Sequence, residues 1–273
     1  MTIALVSLPA ASDVPNEDFA AASSGVAVLL DGAGVAGGET GCKHGVAWFS
    51  ATLGGVLLGT LVEQPGLPLV ECLSHAIRTV GSLHEDDCDL RHPASPTSTV
   101  VAARTRAGTL EYLVLGDSAL LLAGRDGTVD VVTDRRLDEV GKQLRGPVDT
   151  LPTESPEHAA ALAEYRTALT RLRNRPEGFW IAGPDPEAAQ HALTGSVPLD
   201  SLASAALMSD GATRLVDRFE LATWDELFAL VAVSGPAEAI RQVRNAEAGD
   251  PDGRRWPRGK ARDDATVLHW VLP

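Results

Sequence analysis

Leu207-Met208-Ser209-Asp210-Gly211 puts a carboxylate where an apolar run stops and a helical pattern begins. The same grammar recurs at Gly25-Val-Ala-Val-Leu-Leu-Asp31-Gly32 and Leu113-Val-Leu-Gly-Asp117-Ser118, and is reversed at Asp263-Asp264-Ala-Thr-Val-Leu, where carboxylates precede the run. Asp, Gly and Ser are poor strand formers. Carboxylates at the ends of several buried strands therefore imply ends that converge on something needing them, and a hard divalent cation is the simplest candidate. Any one Asp-Gly alone reads as a turn; only their recurrence points elsewhere.

Outward from these runs, residues 3–8 and 25–30 read as strands, with a polar turn over 13–18 carrying Asn16-Glu17-Asp18. Gly32, Gly34, Gly37, Gly38 and Gly41 make a loop in which backbone can approach a ligand closely. Apolar residues at helical spacing predict helices over 44–63 and 67–83, the first weakened or bent by Gly54-Gly55. Residues 98–104, 110–115, 119–123 and 129–133 predict four successive strands, read as one antiparallel meander with a hairpin turn at Arg125-Asp126-Gly127. Ser155-Pro156 starts a helix running to about residue 173. A short strand over 178–182, a short helix over 185–192, a strand over 205–208, helices over 224–231 and 236–247 and a last strand over 265–271 complete an α+β pattern.

With 273 residues, 44% of them hydrophobic, the chain can bury a full core, and no linker divides it, so residues 1–273 are expected to form a single domain. A net charge of -14 argues against nucleic acid or an anionic membrane as partner, since both need a cationic field. No stretch reads as approaching the roughly 18 to 20 apolar residues of a membrane span, and the apolar opening Met1–Ala10 lacks the positive flank of a signal peptide. Cys42, Cys72 and Cys88 are irregularly spaced and odd in number, which suits a reducing compartment; a cytoplasmic location is expected. Lysine occurs only at 43, 142 and 260, the other twenty of the 23 basic residues being arginine, which suggests a bacterial genome rich in GC.

Carboxylates crowded into one site repel one another unless cations neutralise them. Two Mg²⁺ or Mn²⁺ ions roughly 3.5 to 4 Å apart would do so, and would equip the site for in-line attack on phosphorus. In chain order the signals are Asn-Glu-Asp, Asp-Gly, Ser-Thr before a strand, Gly-Asp-Ser, Ser-Asp-Gly and Asp-Asp-Ala-Thr-Val. This succession, from about residue 3 to residue 272, resembles the metal-dependent type 2C serine/threonine protein phosphatase family. The resemblance implies a four-layer α-β-β-α sandwich of two antiparallel sheets flanked by helical pairs, with a binuclear Mg/Mn site at one edge. It also implies roles: Asp31 bridging both ions, the Gly32 carbonyl and Glu17 serving one of them, Asp210 and Asp263 the other, Asp18 orienting the activated water, and Asp117 belonging to a third, weaker ion. Asp264 falls where the family carries Asn or Asp, so Asp263 is preferred as the ligand, with Asp264 one register away.

Two positions depart from the family. Its phosphate-gripping arginine, four residues before the Glu of Glu-Asp, is here Asp13, and the histidine two residues after the bridging aspartate is here Ala33. Replacement cations are sought at Arg173 and Arg175 and in the run Arg254, Arg255, Arg258, Lys260 and Arg262, which leads directly to Asp263; Lys260, Arg262 and Arg175 are the candidates for substrate phosphate. The alternative is a solvated basic loop offsetting nearby carboxylates.

Cys42-Lys-His44 with Cys72-Leu-Ser-His75 could make a Cys2His2 set, and His84, Cys88 and His92 are spaced by four. Neither pattern matches a zinc finger or ribbon, so these are read as core or surface residues. His44 could otherwise approach the position that Ala33 leaves without a histidine. The expected function is thus a Mg/Mn-dependent phosphatase that hydrolyses phosphate monoesters by metal-activated water, with phosphoserine or phosphothreonine in a phosphoprotein as substrate. The alternative is a weakly active or inactive fold relative that binds phosphoproteins, and the oligomeric state is not legible.

Overall fold

The computed structural model describes residues 2–34, 40–153 and 155–273; Gly37 and Gly38 of the glycine loop lie outside them. In chain order the first half comprises β1 (Thr2–Leu8), β2 (Phe19–Ser23), β3 (Val26–Leu30), β4 (Gly32–Ala33), α1 (Gly45–Glu63), α2 (Leu69–His84), β5 (Thr97–Ser98), β6 (Val100–Arg106) and β7 (Thr109–Leu115). There follow β8 (Ala119–Gly124), β9 (Val129–Val132), α3 (Arg136–Leu144), α4 (Gly146–Asp149) and α5 (Pro156–Leu172). The chain closes with β10 (Leu193–Pro198), β11 (Leu202–Met208), α6 (Asp210–Asp217), α7 (Trp224–Ser234), α8 (Pro236–Gly249) and β12 (Ala265–Val271).

The strands make two five-stranded antiparallel sheets, ordered β1-β12-β11-β8-β9 and β10-β7-β6-β3-β2. Alternation along each strand assigns its side chains to two different cores. In β3, Ala27 and Leu29 point inward, where with Val101 and Val114 they meet Leu120, Leu207, Leu268 and Trp270 of the opposite sheet. Val26, Val28 and Leu30 point outward and pack beneath α1 and α2 against Phe49, Leu53, Leu57 and Ile77. On the far side Leu121, Met208 and Val267 pack beneath α6, α7 and α8 against Leu215, Val231, Ile240 and Val243. The result is the expected four-layer α-β-β-α sandwich. It also explains the continuous apolar runs: a strand buried on both faces has no polar alternation to show.

The expected four-strand meander is divided. β6 and β7 pair in one sheet, while β8 and β9 pair in the other. The chain crosses between sheets at Gly116, whose φ of 87° and closeness to Thr99 (a Cβ would lie 2.8 Å from Thr99 Cγ2) exclude a side chain. The crossing leaves Asp117 at the corner between the two sheets. β2, which is alanine-rich, and β10, which contains Gly195 and ends on Pro198, are edge strands not read from the sequence. Residues 178–182 make only isolated bridges, Phe179 to Arg173 and Ala182 to Ser98. Ser155 caps α5 as expected, accepting the His158 N–H at 3.1 Å.

Gly54-Gly55 does not break α1, which runs unbroken for nineteen residues. Contrary to expectation, α1 is long and apolar enough to cross a membrane by length and composition. Here its face Phe49, Leu53, Leu57 and Leu61 is buried in the helix–sheet core.

Candidate metal centre

Carboxylates from both sheets are delivered to one end of the sandwich. Asp31 follows the last residue of β3, Asp210 opens α6 two residues after β11, Asp263 and Asp264 precede β12, and Asp117 sits at the β7–β8 crossing. The sheets are joined there directly, since the Asp210 N–H donates to Asp31 Oδ2 at 3.3 Å. Asp31 is fixed through its backbone: its carbonyl accepts from Thr99 N and Ser98 Oγ, each at 2.9 Å. Glu17 and Asp18 approach on the β1–β2 connection, and the Glu17 carbonyl accepts from Gly32 N at 3.2 Å. A Cβ on Gly32 would lie 2.5 to 2.6 Å from Ser50 Oγ, Val46 Cγ1 and the Glu17 carbonyl, so only glycine fits.

The geometry separates the two adjacent aspartates. Asp264 accepts from Ala10 N and Glu17 N, one on each oxygen and both at 2.7 Å, and so ties down the turn that carries Glu17 and Asp18. Asp263 instead lies close enough to Asp31 and Asp210 for its charge to raise the proton affinity of both. Gly211 has the Asp264 carbonyl where a Cβ would stand, which lets α6 begin against this pair.

Crowding and burial raise the proton affinity of the group. Burial, then the charges of Asp18, Asp210, Asp263 and Asp117, holds the Asp31 carboxyl well above the ordinary range. Asp117 is pushed up to about 8, by burial first and then by Asp210, Asp138 and Asp134. Asp210 is raised by burial and by Asp263, and Glu17 by burial, with Lys260 opposing and Asp264 and Asp263 reinforcing. Asp18 reaches about 7, again by burial first. The hydroxyls of Thr266 and Ser209 lie close enough to favour its anion, yet neither Asp18 oxygen has a partner in hydrogen-bonding geometry. A carboxylate buried with both oxygens unpartnered is costly unless something outside the chain meets it.

Two cations enter the ring. Lys260 Nζ lies 2.7 Å from Asp263 Oδ1, and although burial opposes its charge, Asp263, Asp210 and Asp31 together raise its pKa. Arg214, nearly buried, donates to Asp263 Oδ2 at 2.9 Å and to Glu247 Oε1 at 2.7 Å. Arg214 was missed by sequence reading, although its place four residues after Asp210 on α6 puts both on one helix face. Arg166 of α5, also missed, lies close enough to lower the Glu17 pKa and had no local signal.

The other basic candidates stand elsewhere. Arg175 and Arg262 are exposed and form no ion pair among the described residues. Arg173 donates to the carbonyls of Pro93 and Ser95, Arg255 lies over the Trp256 ring at 4.2 Å, and Arg258 is buried against Asp250 at 3.0 Å. Asp13 is exposed and Ala33 forms a two-residue ladder with Thr97. His44 does not turn to the acidic ring; it stacks on Trp48 with ring centroids 4.3 Å apart and meets two cysteines.

Glu17, Asp18, Asp31, Asp117, Asp210 and Asp263 thus gather hard oxygen donors at one end of the sandwich, close enough for their charges to raise one another's proton affinity. Such a set fits a small divalent ion, and the orphaned Asp18 carboxylate supplies the structural demand for one. The chain belongs to the protein phosphatase 2C family, whose model matches residues 10–244.

Among solved structures it is similar to the PPM Ser-Thr phosphatase MsPP from Mycobacterium smegmatis in complex with cacodylate, at 20% identity over 100% of this chain and 99% of that one, with a TM-score of 0.59. It is also similar to the serine/threonine phosphatase PstP/Ppp of Mycobacterium tuberculosis, at 16% identity over 99% and 98% of the two chains and a TM-score of 0.56. A structure of the PstP catalytic domain in complex with two manganese ions matches at 15% identity over 100% and 98%, with a TM-score of 0.55. No curated protein matches the chain. At these identities the structural likeness speaks for the fold.

Proposed function

We propose that this protein is a Mg²⁺- or Mn²⁺-dependent phosphatase acting on phosphate monoesters, with phosphoserine or phosphothreonine of proteins as substrate, and that residues 1–273 work as one unit in the cytoplasm. The observation that carries this reading is the buried Asp18 carboxylate, unpartnered on both oxygens, inside a ring of four other aspartates. Asp31, Glu17 and the Gly32 carbonyl would hold one ion, Asp31, Asp210 and Asp263 a second, and Asp117 a third. Bound there, the ions supply positive charge and the activation of water needed for attack on phosphorus. Asp18, whose carboxylate oxygens have no hydrogen-bond partner within the chain, would orient that water. Lys260 is the cation best placed for the substrate phosphate; Arg166 is the second, while Arg262 and Arg175 would need to swing inward. The test is hydrolysis of an aryl phosphate and of phosphopeptides with Mn²⁺, with chelator, and in Asp31→Ala and Asp210→Ala. Turnover that is lost in both variants and on chelation is expected; turnover indifferent to metal would refute it.

Two observations favour a second reading, a weakly active relative that binds phosphoproteins. Asp263 is clamped on both oxygens by Arg214 and Lys260, and Asp13 stands where the family's phosphate-gripping arginine is expected. Phosphopeptide binding without Mn²⁺-dependent turnover would select this reading.

A further inference from the structure

Away from the acidic ring, two short segments bring four sulfur and imidazole donors together. Cys42 and His44 lie in the connection entering α1, while His84 ends α2 and Cys88 follows it by four residues. Cys42 Sγ lies 3.6 Å from Cys88 Sγ, 3.6 Å from His84 Nδ1 and 3.8 Å from His44 Nδ1, and Cys88 Sγ lies 3.5 Å from His44 Nδ1. All four donor atoms fall within 4.8 Å of one another. A tetrahedral zinc ion, with Zn–S of about 2.3 Å and Zn–N of about 2.0 Å, demands edges of about 3.8 Å between sulfurs and about 3.6 Å between sulfur and nitrogen. The four edges through Cys42 and from Cys88 to His44 span 3.5 to 3.8 Å, close to those lengths, and the other two lie within 4.8 Å. The sulfurs are too far apart for a disulfide, and all three cysteines are free thiols.

We propose that Cys42, His44, His84 and Cys88 form a structural Zn²⁺ site that cross-links the start of α1 to the end of α2. Four protein ligands close the tetrahedron and leave no position for substrate. Zinc enters as the two thiols lose their protons and the two imidazoles bind in their neutral form, so the loaded site carries no net charge.

The surroundings are already clasped for this purpose. Asp89 N donates to the Gly41 carbonyl at 2.8 Å, and Lys43 pairs with Asp87 at 2.7 Å. His44 and His84 are held by Trp48, at centroid distances of 4.3 and 5.0 Å. The three remaining sequence candidates stay apart: Cys72 donates to the Leu67 carbonyl, His92 Nδ1 accepts from Ala94 N, and His75 Nε2 lies 3.5 Å from Thr79 Oγ1. Neither ligand segment carries a zinc pattern by itself, because one supplies Cys-x-His and the other His-x3-Cys, and only the packing of α1 on α2 joins them.

The experiment is metal analysis of the full chain, purified under reducing conditions without added metal or chelator. One zinc per chain is expected in wild type, in Cys72→Ser and in Asp31→Asn, and its loss in Cys42→Ser and Cys88→Ser. Asp31→Asn separates this site from the acidic ring, so failure of either assignment leaves the other standing. If the cysteine variants do not fold, Co²⁺ exchange into wild type decides: tetrahedral d–d bands with thiolate charge transfer support the site. Wild type that holds no zinc and gives no thiolate–Co²⁺ spectrum would be a merely hydrogen-bonded Cys/His cluster and would overturn the proposal. So would a Cys42–Cys88 disulfide found by mass spectrometry in the reduced preparation.

Discussion

Replacing Arg214 with methionine isolates the clamp on Asp263. Arg214 Nη1 lies 2.7 Å from Glu247 Oε1 and Nη2 lies 2.9 Å from Asp263 Oδ2, with the Glu247 side chain 1% exposed and the Arg214 side chain 10% exposed. Breaking a buried ion pair by removing one partner costs about 3 to 5 kcal/mol, because it strands the other charge. Here neither carboxylate is stranded completely: Glu247 keeps Arg244 at 2.8 Å, and Asp263 keeps Lys260 at 2.7 Å. The lower end, about 3 kcal/mol, is therefore expected. In a chain of this size that is a fall in melting temperature of roughly 6 to 12 °C. Methionine preserves the length of the stem, so little of the loss should come from packing.

The same substitution frees one oxygen of Asp263 for a metal. Ligand bound only to the folded state stabilises by RT ln(1 + [L]/Kd). If Mg²⁺ binds the variant tenfold more tightly, its stabilising increment at saturating Mg²⁺ exceeds that of wild type by about 1.4 kcal/mol. The assay is thermal melting of both proteins with and without excess Mg²⁺, with Arg214→Lys as an intermediate that keeps charge but not the forked geometry. A melting temperature unchanged by Arg214→Met, or an Mg²⁺ increment no larger than that of wild type, would refute the reasoning.

Lys260→Met is expected to lower the Mn²⁺ concentration that half-activates the enzyme and to raise KM for aryl phosphate about tenfold, as loss of one charge-assisted contact would; steady-state kinetics in which both stay constant would remove Lys260 from the site. Without added metal, melting temperature should fall as pH rises from about 6.5 to about 8.5. The sign follows from Asp18 and Asp117, whose folded-state values of about 7 and about 8 lie above 3.8, so their protonated forms stabilise the fold below 3.8 and that stability is lost as pH passes 7 to 8. His84 and His269, lowered from 6.5, act oppositely but titrate below this window. Excess Mg²⁺ should flatten the slope, and a metal-free protein that grows more stable toward pH 8.5 would contradict it. Gly211→Ala drives a Cβ into the Asp264 carbonyl and should cost more than about 2 kcal/mol, read by urea denaturation; an unchanged midpoint would mean that α6 shifts freely.

Much of the fold was legible because the runs that matter are short, apolar and punctuated. Strands β1, β3, β6, β7, β8, β9 and β12 and helices α1, α2, α5, α7 and α8 carry their own periodicity or caps, the Ser155 cap of α5 among them. β2 was not legible because the alanines of Phe19-Ala-Ala-Ala-Ser23 are poor strand formers; it is a strand because β3 offers it an edge. The meander failed at Gly116, where a positive φ next to Thr99 moves the chain from one sheet to the other, which no local pattern announces. In the candidate site the order of Asp-Gly signals singled out the carboxylates, but not which cation faces them. Of the basic run before β12, Arg258 turned out to serve Asp250 and Lys260 to serve Asp263.

By itself the sequence determined what each residue can be: which runs are buried, which carboxylates end them, where helices start, and that hard oxygen donors outnumber local cations. Tertiary structure alone decided which of these meet. It set Asp264 to tying a turn and Asp263 to pairing with Lys260 and Arg214, one residue apart, because in the non-strand lead-in to β12 the partners around each side chain, not a local pattern, fix where it goes. It also brought Cys42 and His44 to His84 and Cys88 across forty residues. Contacts of that span depend on how helices pack on a sheet, a free energy spread over a whole core and not written in any local stretch.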